Sequence, residues 1–180
     1  MTVRVGTADD LVAVADIERD ADRRFAEVEL GDALDAVADP GSSEDLRAAA
    51  DGGRLVVAEA DQRAIGFAWW SELDGDAHLE QVSVIVDAAG QRIGRLLIDE
   101  VSDRAAADGY PGITLTTFAD IAWNAPLYET YGFLPIDPTE LGAGLAARRA
   151  HEAEIGLDVL PRVAMRRPFD TGIDPHTGTA

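Results

Sequence analysis

The most informative segment of this chain is WNAPLYETYGF, at residues 123–133. Asn124 followed by Pro126 indicates a helix start, because an asparagine cap and a proline in the first turn are both favoured there. Gly132 ends the helix, since glycine adopts the left-handed conformation of a C-cap at little cost. Tyr128 lies one turn into the helix, where its ring can point towards a neighbouring sheet. The alternatives are that Asn124 only caps the helix and that Tyr128 and Tyr131 are core aromatics.

Residues 88–97, AAGQRIGRLL, place a glycine-containing turn in front of a second, longer helix. The free N–H groups at a helix N-terminus, with the positive end of the helix dipole, form an anion site. Arg92 and Arg95 add positive charge there, which indicates a pyrophosphate ligand. A Walker A loop is excluded because the chain has no lysine, and a Rossmann loop because only Gly90 and Gly94 are present. The alternative is an ordinary helix start with two glycines that serve packing.

Three strands joined by tight turns are predicted at residues 55–60, 64–72 and 77–86, which makes an antiparallel meander. In the third strand, apolar residues occupy odd positions up to Leu79 and even positions from Val82 onwards. Because side chains alternate with a period of two along a strand, this change predicts a β-bulge. A bulge separates the strand from its neighbour and leaves backbone N–H groups for a ligand. The alternative is a polar residue within an amphipathic core.

The remaining segments complete one domain, which we predict at residues 1–169 with a flexible tail at 170–180. The long helix after the glycine turn is expected to bury Leu96 together with the other apolar residues of one face. The elements predict an α+β fold of the three-layer α/β type, with a mixed, mostly antiparallel sheet of about six to seven strands flanked by helices. Further strands are predicted at residues 3–5, 113–117, 133–136 and 162–167, and further helices at about 7–17, 25–37, 42–51 and 141–155.

The composition narrows the classes of function. With 34 acidic and 15 basic residues, the net charge is −19, which argues against nucleic acid or an anionic membrane as the partner. The chain has no cysteine, which excludes disulfides, thiolate metal sites and a cysteine nucleophile. No apolar run approaches the length of a membrane span, and the N-terminus lacks a signal-peptide pattern. We therefore expect a cytoplasmic protein, and we predict no metal site.

Together, these motifs resemble the GNAT superfamily of N-acyltransferases. The stretch LEQVSV…GQRIGRLL is similar to the fourth strand and pyrophosphate loop of that family, and WNAPLYETYGF to its Asn-…-Tyr-…-Gly-Phe element. The resemblance extends over roughly residues 3–133. It departs from the family pattern at Ala89, where a glutamine or arginine is usual, and at Arg92, which replaces the first glycine of the loop.

The resemblance implies an N-acetyltransferase in which a neutral amine attacks the thioester of acetyl-CoA directly, without a metal. It implies that the backbone N–H of Val84 binds the thioester oxygen, and that Tyr128 protonates the departing thiolate as general acid. Val82 and Val84 would pair their backbones with the pantetheine arm, and Asn124 would bond the same arm. The expected contacts to acetyl-CoA are Val82, Ser83, Val84, Ala89, Gly90, Gln91, Arg92, Ile93, Gly94, Arg95, Asn124 and Tyr128.

The amine acceptor must lose a proton before it attacks, and Glu80 is the expected base, acting through water. Glu80 lies just before the predicted bulge, at a position where many members of the resembled family carry an acid. The alternative for Glu80 is a solvated strand carboxylate. His78 is a rival base, although we expect it to be an exposed histidine near a turn.

The acceptor itself is expected to be a small molecule or a peptide amine bound between the first two helices and the adjoining strand ends. An acidic, aromatic pocket there would suit a polyamine, an aminoglycoside or a cationic peptide end. In the alternative, the acids are solvated and one tryptophan is part of the core. The residues on which this expectation rests are Phe25, Glu27, Glu29, Asp32, Asp35, Trp69 and Trp70.

Two other classes of function stay open, a CoA-binding regulatory module that has lost catalysis and an interaction protein without CoA binding. Ala89 and Arg92 favour the first of these, whereas Tyr128, Asn124 and Glu80 together argue against it. A homodimer that uses the last strand is also possible.

Overall fold

The computed structural model of the chain describes residues 1–24 and 43–170. Seven strands form its sheet: β1 (Thr2–Val5), β2 (Leu55–Ala60), β3 (Arg63–Leu73), β4 (Asp76–Val84), β5 (Gly112–Phe118), β6 (Leu134–Pro135) and β7 (Arg162–Pro168). Their order in the sheet is β1-β2-β3-β4-β5-β7-β6. Every neighbouring pair is antiparallel except β4 and β5, which are parallel.

The described helices are α1 (Leu11–Asp22), α2 (Ser43–Asp51), α3 (Ile93–Ala107), α4 (Ala125–Glu129) and α5 (Ala143–Glu154). The helix predicted at residues 25–37 lies outside the described residues. Leu96 is 41% exposed, so its predicted burial is wrong. Consecutive positions on a helix are about 100° apart, and the fully buried Leu97 beside it takes the place on the inner face.

Helices cover both faces of the sheet. Consecutive strand residues point to opposite faces, so one strand can pack against both helical layers. On one face, Ala68 and Trp70 pack with apolar residues of α3. On the other face, Phe67 and Trp69 pack with residues of α1 and α2. This mixed sheet between two helical layers confirms the predicted fold class.

A β-bulge interrupts β4 where the side-chain pattern predicts one. Gln81 is paired with Trp69 of β3, whereas the next residue along β3, Trp70, is paired with Leu79. Glu80 is therefore the extra residue of the bulge. The predicted strand extends to residue 86, but β4 ends at Val84, and residues Val86–Ala88 form a short 3-10 helix.

The same strand separates from β5 almost as soon as the two begin to pair. Only Ala77 and His78 of β4 are in register with β5, opposite Ile113 and Thr114. Beyond His78, the edge of β4 that faces β5 has no strand partner among the described residues. The sheet is therefore split along this line, and the bulge stands at the start of the split.

Helix α5 spans the split through its side chains. Near its middle, Arg148 donates a hydrogen bond of 2.7 Å to Glu80 of β4. One turn further on, the buried carboxylate of Glu152 accepts hydrogen bonds from Thr116 of β5 and from Arg162 of β7. At its start, the carboxylate of Asp74, in the turn between β3 and β4, accepts from the first N–H groups of the helix at 2.8 Å.

Candidate active site

A cleft of about 550 Å³ opens at the N-terminal end of α3. It is bounded by the end of β4, the glycine turn and the C-terminal half of α4. Most of the predicted acetyl-CoA contacts lie together here: Val84, Ala89, Gly90, Arg92, Ile93, Gly94 and Arg95. The exposed Gln91 is not among its lining residues, and its side chain reaches the carbonyl of Asp87 at 3.5 Å.

The turn before α3 has the backbone of an anion-binding loop. Gly90 has a φ of 79°, and Arg92 has φ 61° and ψ 17°, so both residues are left-handed. The first hydrogen bond of the helix runs from Leu96 N–H to Arg92 O at 3.1 Å. The N–H groups of Ile93 and the two following residues precede that bond and are left for a ligand. Arg92 thus adopts the conformation that a glycine would supply.

The two glycines of the turn keep the cleft open. A Cβ atom built at Gly90 or Gly94 would meet no protein atom within 4 Å. Neither glycine is therefore required for packing within the protein, which removes the packing explanation that the sequence left open. With Arg92 and Arg95 on the rim, this end of the helix combines free N–H donors, positive charge and space.

The edge of β4 supplies a second set of unpaired backbone groups. Ile85 N–H donates to the carbonyl of Ile65 in β3 at 3.0 Å. Because hydrogen-bonding residues alternate along an antiparallel strand, Ser83 also turns its backbone towards β3, and Val82 and Val84 turn theirs away. The backbone groups of these two valines therefore face the split between β4 and β5. Ser83, by contrast, accepts a side-chain hydrogen bond from Gln81 at 3.3 Å.

Tyr128 is partly buried against the α3 core, and burial raises the pKa of its phenol to about 12. Its ring makes edge contacts with Phe133 and Tyr131 at centroid distances of 5.8 and 6.4 Å. Its hydroxyl forms no hydrogen bond with the residues that the structure describes. Asn124 accepts the N–H of Tyr128 at 2.9 Å through its backbone oxygen, but its side chain makes no capping bond. Both polar side chains are thus uncommitted within the described part of the chain.

Glu80 is neither solvated nor free. Its side chain is 8% exposed, and its Oε1 atom accepts hydrogen bonds from Ser71 at 2.6 Å and from Arg148 at 2.7 Å. The interpretation of Glu80 as a solvated carboxylate is therefore wrong. Within residues 1–24 and 43–170, no hydrogen bond reaches its Oε2 atom, so that oxygen can still accept a proton or hold an ammonium group.

His78 is buried, which corrects the expectation of an exposed histidine. It is 2% exposed, and burial lowers its pKa to about 4. Its position on β4 next to the parallel β5 encloses it between strands, and the sequence alone could not supply that neighbour. Trp69 and Trp70 are 4% and 1% exposed, so both are core residues rather than one of them.

The cleft also contains residues that the sequence pattern did not single out. Tyr131 could have been recognised, because it lies three residues after Tyr128 on the same helical element. Arg24 gave no signal, since it follows α1 and only the fold brings it to the turn before α3. The added lining residues are Arg24, Ala88, Leu127, Thr130 and Tyr131.

Among the described residues, no group of three or more histidine, aspartate or glutamate side chains could hold a metal ion. No helix in the described ranges has the length and apolar character needed to cross a membrane.

Residues 51–135, which include the meander, the bulge, α3 and α4, match the family described as acetyltransferase (GNAT) domain. The matched segment is thus similar to a GNAT acetyltransferase domain. This match confirms the resemblance inferred from the two sequence motifs, and it indicates an acyltransferase. The residues that differ from the family loop, Ala89 and Arg92, lie inside the matched segment.

Solved structures of GNAT-type enzymes share the fold. The PaiA N-acetyltransferase of Thermoplasma acidophilum, in complex with coenzyme A, is 16% identical with a TM-score of 0.69, over 93% of this chain and 98% of that one. The ribosomal-protein-S18-alanine N-acetyltransferase of Escherichia coli is 19% identical with a TM-score of 0.67, over 99% of both chains. N-acetylglutamate synthase of Neisseria gonorrhoeae, with coenzyme A and N-acetyl-glutamate, is 14% identical with a TM-score of 0.66, over 93% of this chain and 34% of the synthase.

Proposed function

We propose that this GNAT domain transfers an acetyl group from acetyl-CoA to the primary amine of a small molecule or peptide. The observation that carries the proposal is the split between β4 and β5, which begins beside the bulge at Glu80. It exposes the backbone groups of Val82 and Val84 in a line that leads to the free N–H groups of α3. An extended arm that ends in a pyrophosphate fits such a line, and neighbours in the same fold bind coenzyme A.

Each part of this line has a defined task in the proposed reaction. Residues 89–95 hold the pyrophosphate through backbone N–H groups, with the charges of Arg92 and Arg95. Val82 and Val84 pair with the amide groups of the pantetheine arm. The N–H of Val84 stabilises the negative charge that develops on the thioester oxygen. Asn124 donates a hydrogen bond to the same arm from the other side of the split.

Two side chains transfer protons in the proposed reaction. A neutral amine attacks the thioester carbon, the new N–C bond forms, and the C–S bond breaks with its electron pair on sulfur. Tyr128, with a pKa of about 12, stays protonated at neutral pH and donates its hydrogen bond, then its proton, to that sulfur. The amine proton leaves through water to Oε2 of Glu80, because Arg148 and Ser71 already occupy Oε1.

Thermal unfolding with acetyl-CoA tests the donor site, with ATP as the control anion. At about 100 times its dissociation constant, a ligand stabilises the folded state by about 2.7 kcal/mol. We expect a clear upward shift with acetyl-CoA and none with ATP. No shift at millimolar acetyl-CoA contradicts the proposal. Turnover is then followed by free CoA thiol in the presence of an amine panel, and the chain itself has no cysteine that could react.

A CoA-binding module without catalysis is the second candidate, and the ion pair of Glu80 with Arg148 is the observation in its favour. Arg148 and Ser71 already occupy Oε1 of Glu80, so this carboxylate is engaged in contacts within the protein. This candidate predicts that acetyl-CoA stabilises the protein while no amine releases thiol. Turnover with any amine acceptor excludes it.

A further inference from the structure

A second cleft, of about 500 Å³, lies on the sheet face that carries α2 and α5. Its polar lining consists of Asp45 of α2, Arg54 at the start of β2, Ser71 of β3, Glu80 of β4 and Arg148 of α5. Glu80 places this cleft at the bulge, directly beside the split that would hold the thioester. The cleft therefore lies beside the place proposed for the thioester, and it shares no lining residue with the cleft at the pyrophosphate loop.

The charges of this second cleft are balanced, unlike those of the chain. The chain carries a net charge of −19, but two arginines here face two carboxylates. A polyamine or another polycation would meet the positive charge of Arg54 and Arg148 as well as the acids. A molecule with one positive and one negative group matches the lining better, because each of its charges finds an opposite partner.

The arginines also retain unused hydrogen-bond donors. Arg148 uses one N–H on Glu80, and a guanidinium has five. Within the described ranges, the side chain of Arg54 forms no ion pair, and its one hydrogen bond, to Tyr110, is long at 3.5 Å. Two guanidinium groups with free N–H forks are suited to a carboxylate, which accepts two parallel hydrogen bonds.

Trp69 and Trp70 form the apolar wall of the cleft, and both side chains are almost fully buried. Across the cleft, Oε2 of Glu80 is the atom that remains open to an ammonium group or its proton.

We propose that the acetyl acceptor is an amino acid with a free carboxylate, held by Arg148 and Arg54 while its amine faces Glu80. This inference rests on the proposed acetyl transfer. The amine lone pair forms the N–C bond, the C–S bond breaks with its electron pair on sulfur, and Tyr128 gives sulfur its proton. The amine proton passes to Glu80 and then to solvent, and a proton from solvent restores the phenol of Tyr128. The products are an N-acetyl amino acid and CoA.

The test compares each amino acid of an L-amino acid panel with its α-carboxamide, which keeps the amine and removes the negative charge. Release of CoA thiol measures kcat/KM. We expect the best amino acid to exceed its amide by at least about tenfold, as hydrogen bonds to a charged group require. Equal rates for acid and amide, or turnover of polyamines alone, overturn the inference.

Arg148→Gln and Arg54→Gln should each lower the ratio of kcat/KM for the amino acid to kcat/KM for its amide towards one. Arg47→Gln is the matched control. Arg47 is exposed on α2, outside the lining of the cleft, so this variant should keep the wild-type ratio. A general loss of activity from a disturbed Glu80 would lower acid and amide alike and leave the ratio unchanged. An unchanged ratio in both cleft variants overturns the inference.

Calorimetric titration of the best amino acid separates this inference from the proposed function. If acetyl-CoA does not bind but the amino acid binds wild type and neither cleft variant, the carboxylate site stands and the acetyl transfer fails. If acetyl-CoA binds and no amino acid does, with or without CoA present, the acetyl transfer stands and the carboxylate site is overturned.

Discussion

His78 Nδ1 lies 2.8 Å from Thr114 Oγ1, and these two residues form the last pair in register between β4 and β5. Thr114 donates to the carbonyl of Ala77 at 3.3 Å, so we assign the imidazole nitrogen as the donor to the threonine. The neutral histidine thus donates a buried hydrogen bond at the point where the two strands begin to separate.

Stability is expected to fall between pH 6.5 and about 4 because of His78. Burial lowers its pKa to about 4, with Arg148 acting in the same direction and Glu80, Glu152 and Asp74 opposing it. A folded-state pKa below the unfolded value makes the contribution complete above pH 6.5, and it is lost as the pH falls through 4. The unfolding free energy lost in total is roughly 3 kcal/mol, at about 1.4 kcal/mol for each unit by which the folded and unfolded pKa values differ. Urea unfolding at pH 7, 5.5 and 4 measures it.

The control for this pH effect compares the slope of the unfolding free energy against pH, rather than the free energy at a single pH. His78→Gln should flatten the slope between pH 6.5 and 4, whereas His151→Gln, at an exposed site on α5, should retain it. Equal slopes in wild type and His78→Gln would mean that other groups cause the loss.

Gly94→Ala should have opposite effects on stability and on acetyl-CoA binding. The new methyl group meets no protein atom within 4 Å, and alanine favours a helix over glycine by roughly 0.5–1 kcal/mol. The same methyl group fills space at the free N–H groups of α3. We expect a higher melting temperature without ligand and an acetyl-CoA dissociation constant raised at least about tenfold, for a loss of about 1.4 kcal/mol. Unchanged affinity would remove the turn from the donor site.

Arg92→Gly should stabilise the protein by up to about 1 kcal/mol, because it relieves a left-handed residue that carries a Cβ atom. The loss of a positive charge should at the same time weaken acetyl-CoA binding. Chemical denaturation and calorimetry measure the two effects separately. Arg63→Gly is the control, since this exposed arginine in β3 has no positive φ and its replacement should destabilise the strand. A destabilised Arg92→Gly would argue against strain in the loop.

Tyr128→Phe should lower the acetylation rate by roughly 10²–10⁴-fold, because general acid catalysis contributes that much. The phenol oxygen has no hydrogen-bond partner among the described residues, so its removal should leave the melting temperature nearly unchanged. The shift with acetyl-CoA should also persist. Wild-type turnover in this variant would exclude Tyr128 as the acid.

Glu152→Ala should destabilise the fold by roughly 3 kcal/mol, since it leaves the buried Arg162 without its counter-charge and Arg149 with Asp158 alone. Glu154→Ala, on the exposed side of the same helix, should stay within about 0.5 kcal/mol of wild type. Urea unfolding of both variants decides this. Similar stabilities would mean that α5 is not held by its charges.

Local patterns predicted the bulge and the turn before α3, because the determinants of both are local. The change of apolar register in β4 predicted the bulge, and the glycine turn predicted the free helix N-terminus. The left-handed conformation of Arg92 could not be read from the sequence, since an arginine gives no sign of it. Arg54 and Arg148 could not be predicted either, because residues 94 positions apart meet only through the packing of α5 on the sheet.

Backbone hydrogen bonds join β4 to β5 over only two residues, whereas Arg148 and Glu152 tie both strands to α5. The two halves of the sheet are thus coupled through the polar side chains of α5, in addition to the short ladder and the apolar core around α3. An acceptor carboxylate that engages Arg148 would therefore alter a connection between these halves. Substrate recognition and the width of the split would then be thermodynamically linked, and ionic strength would act on both together.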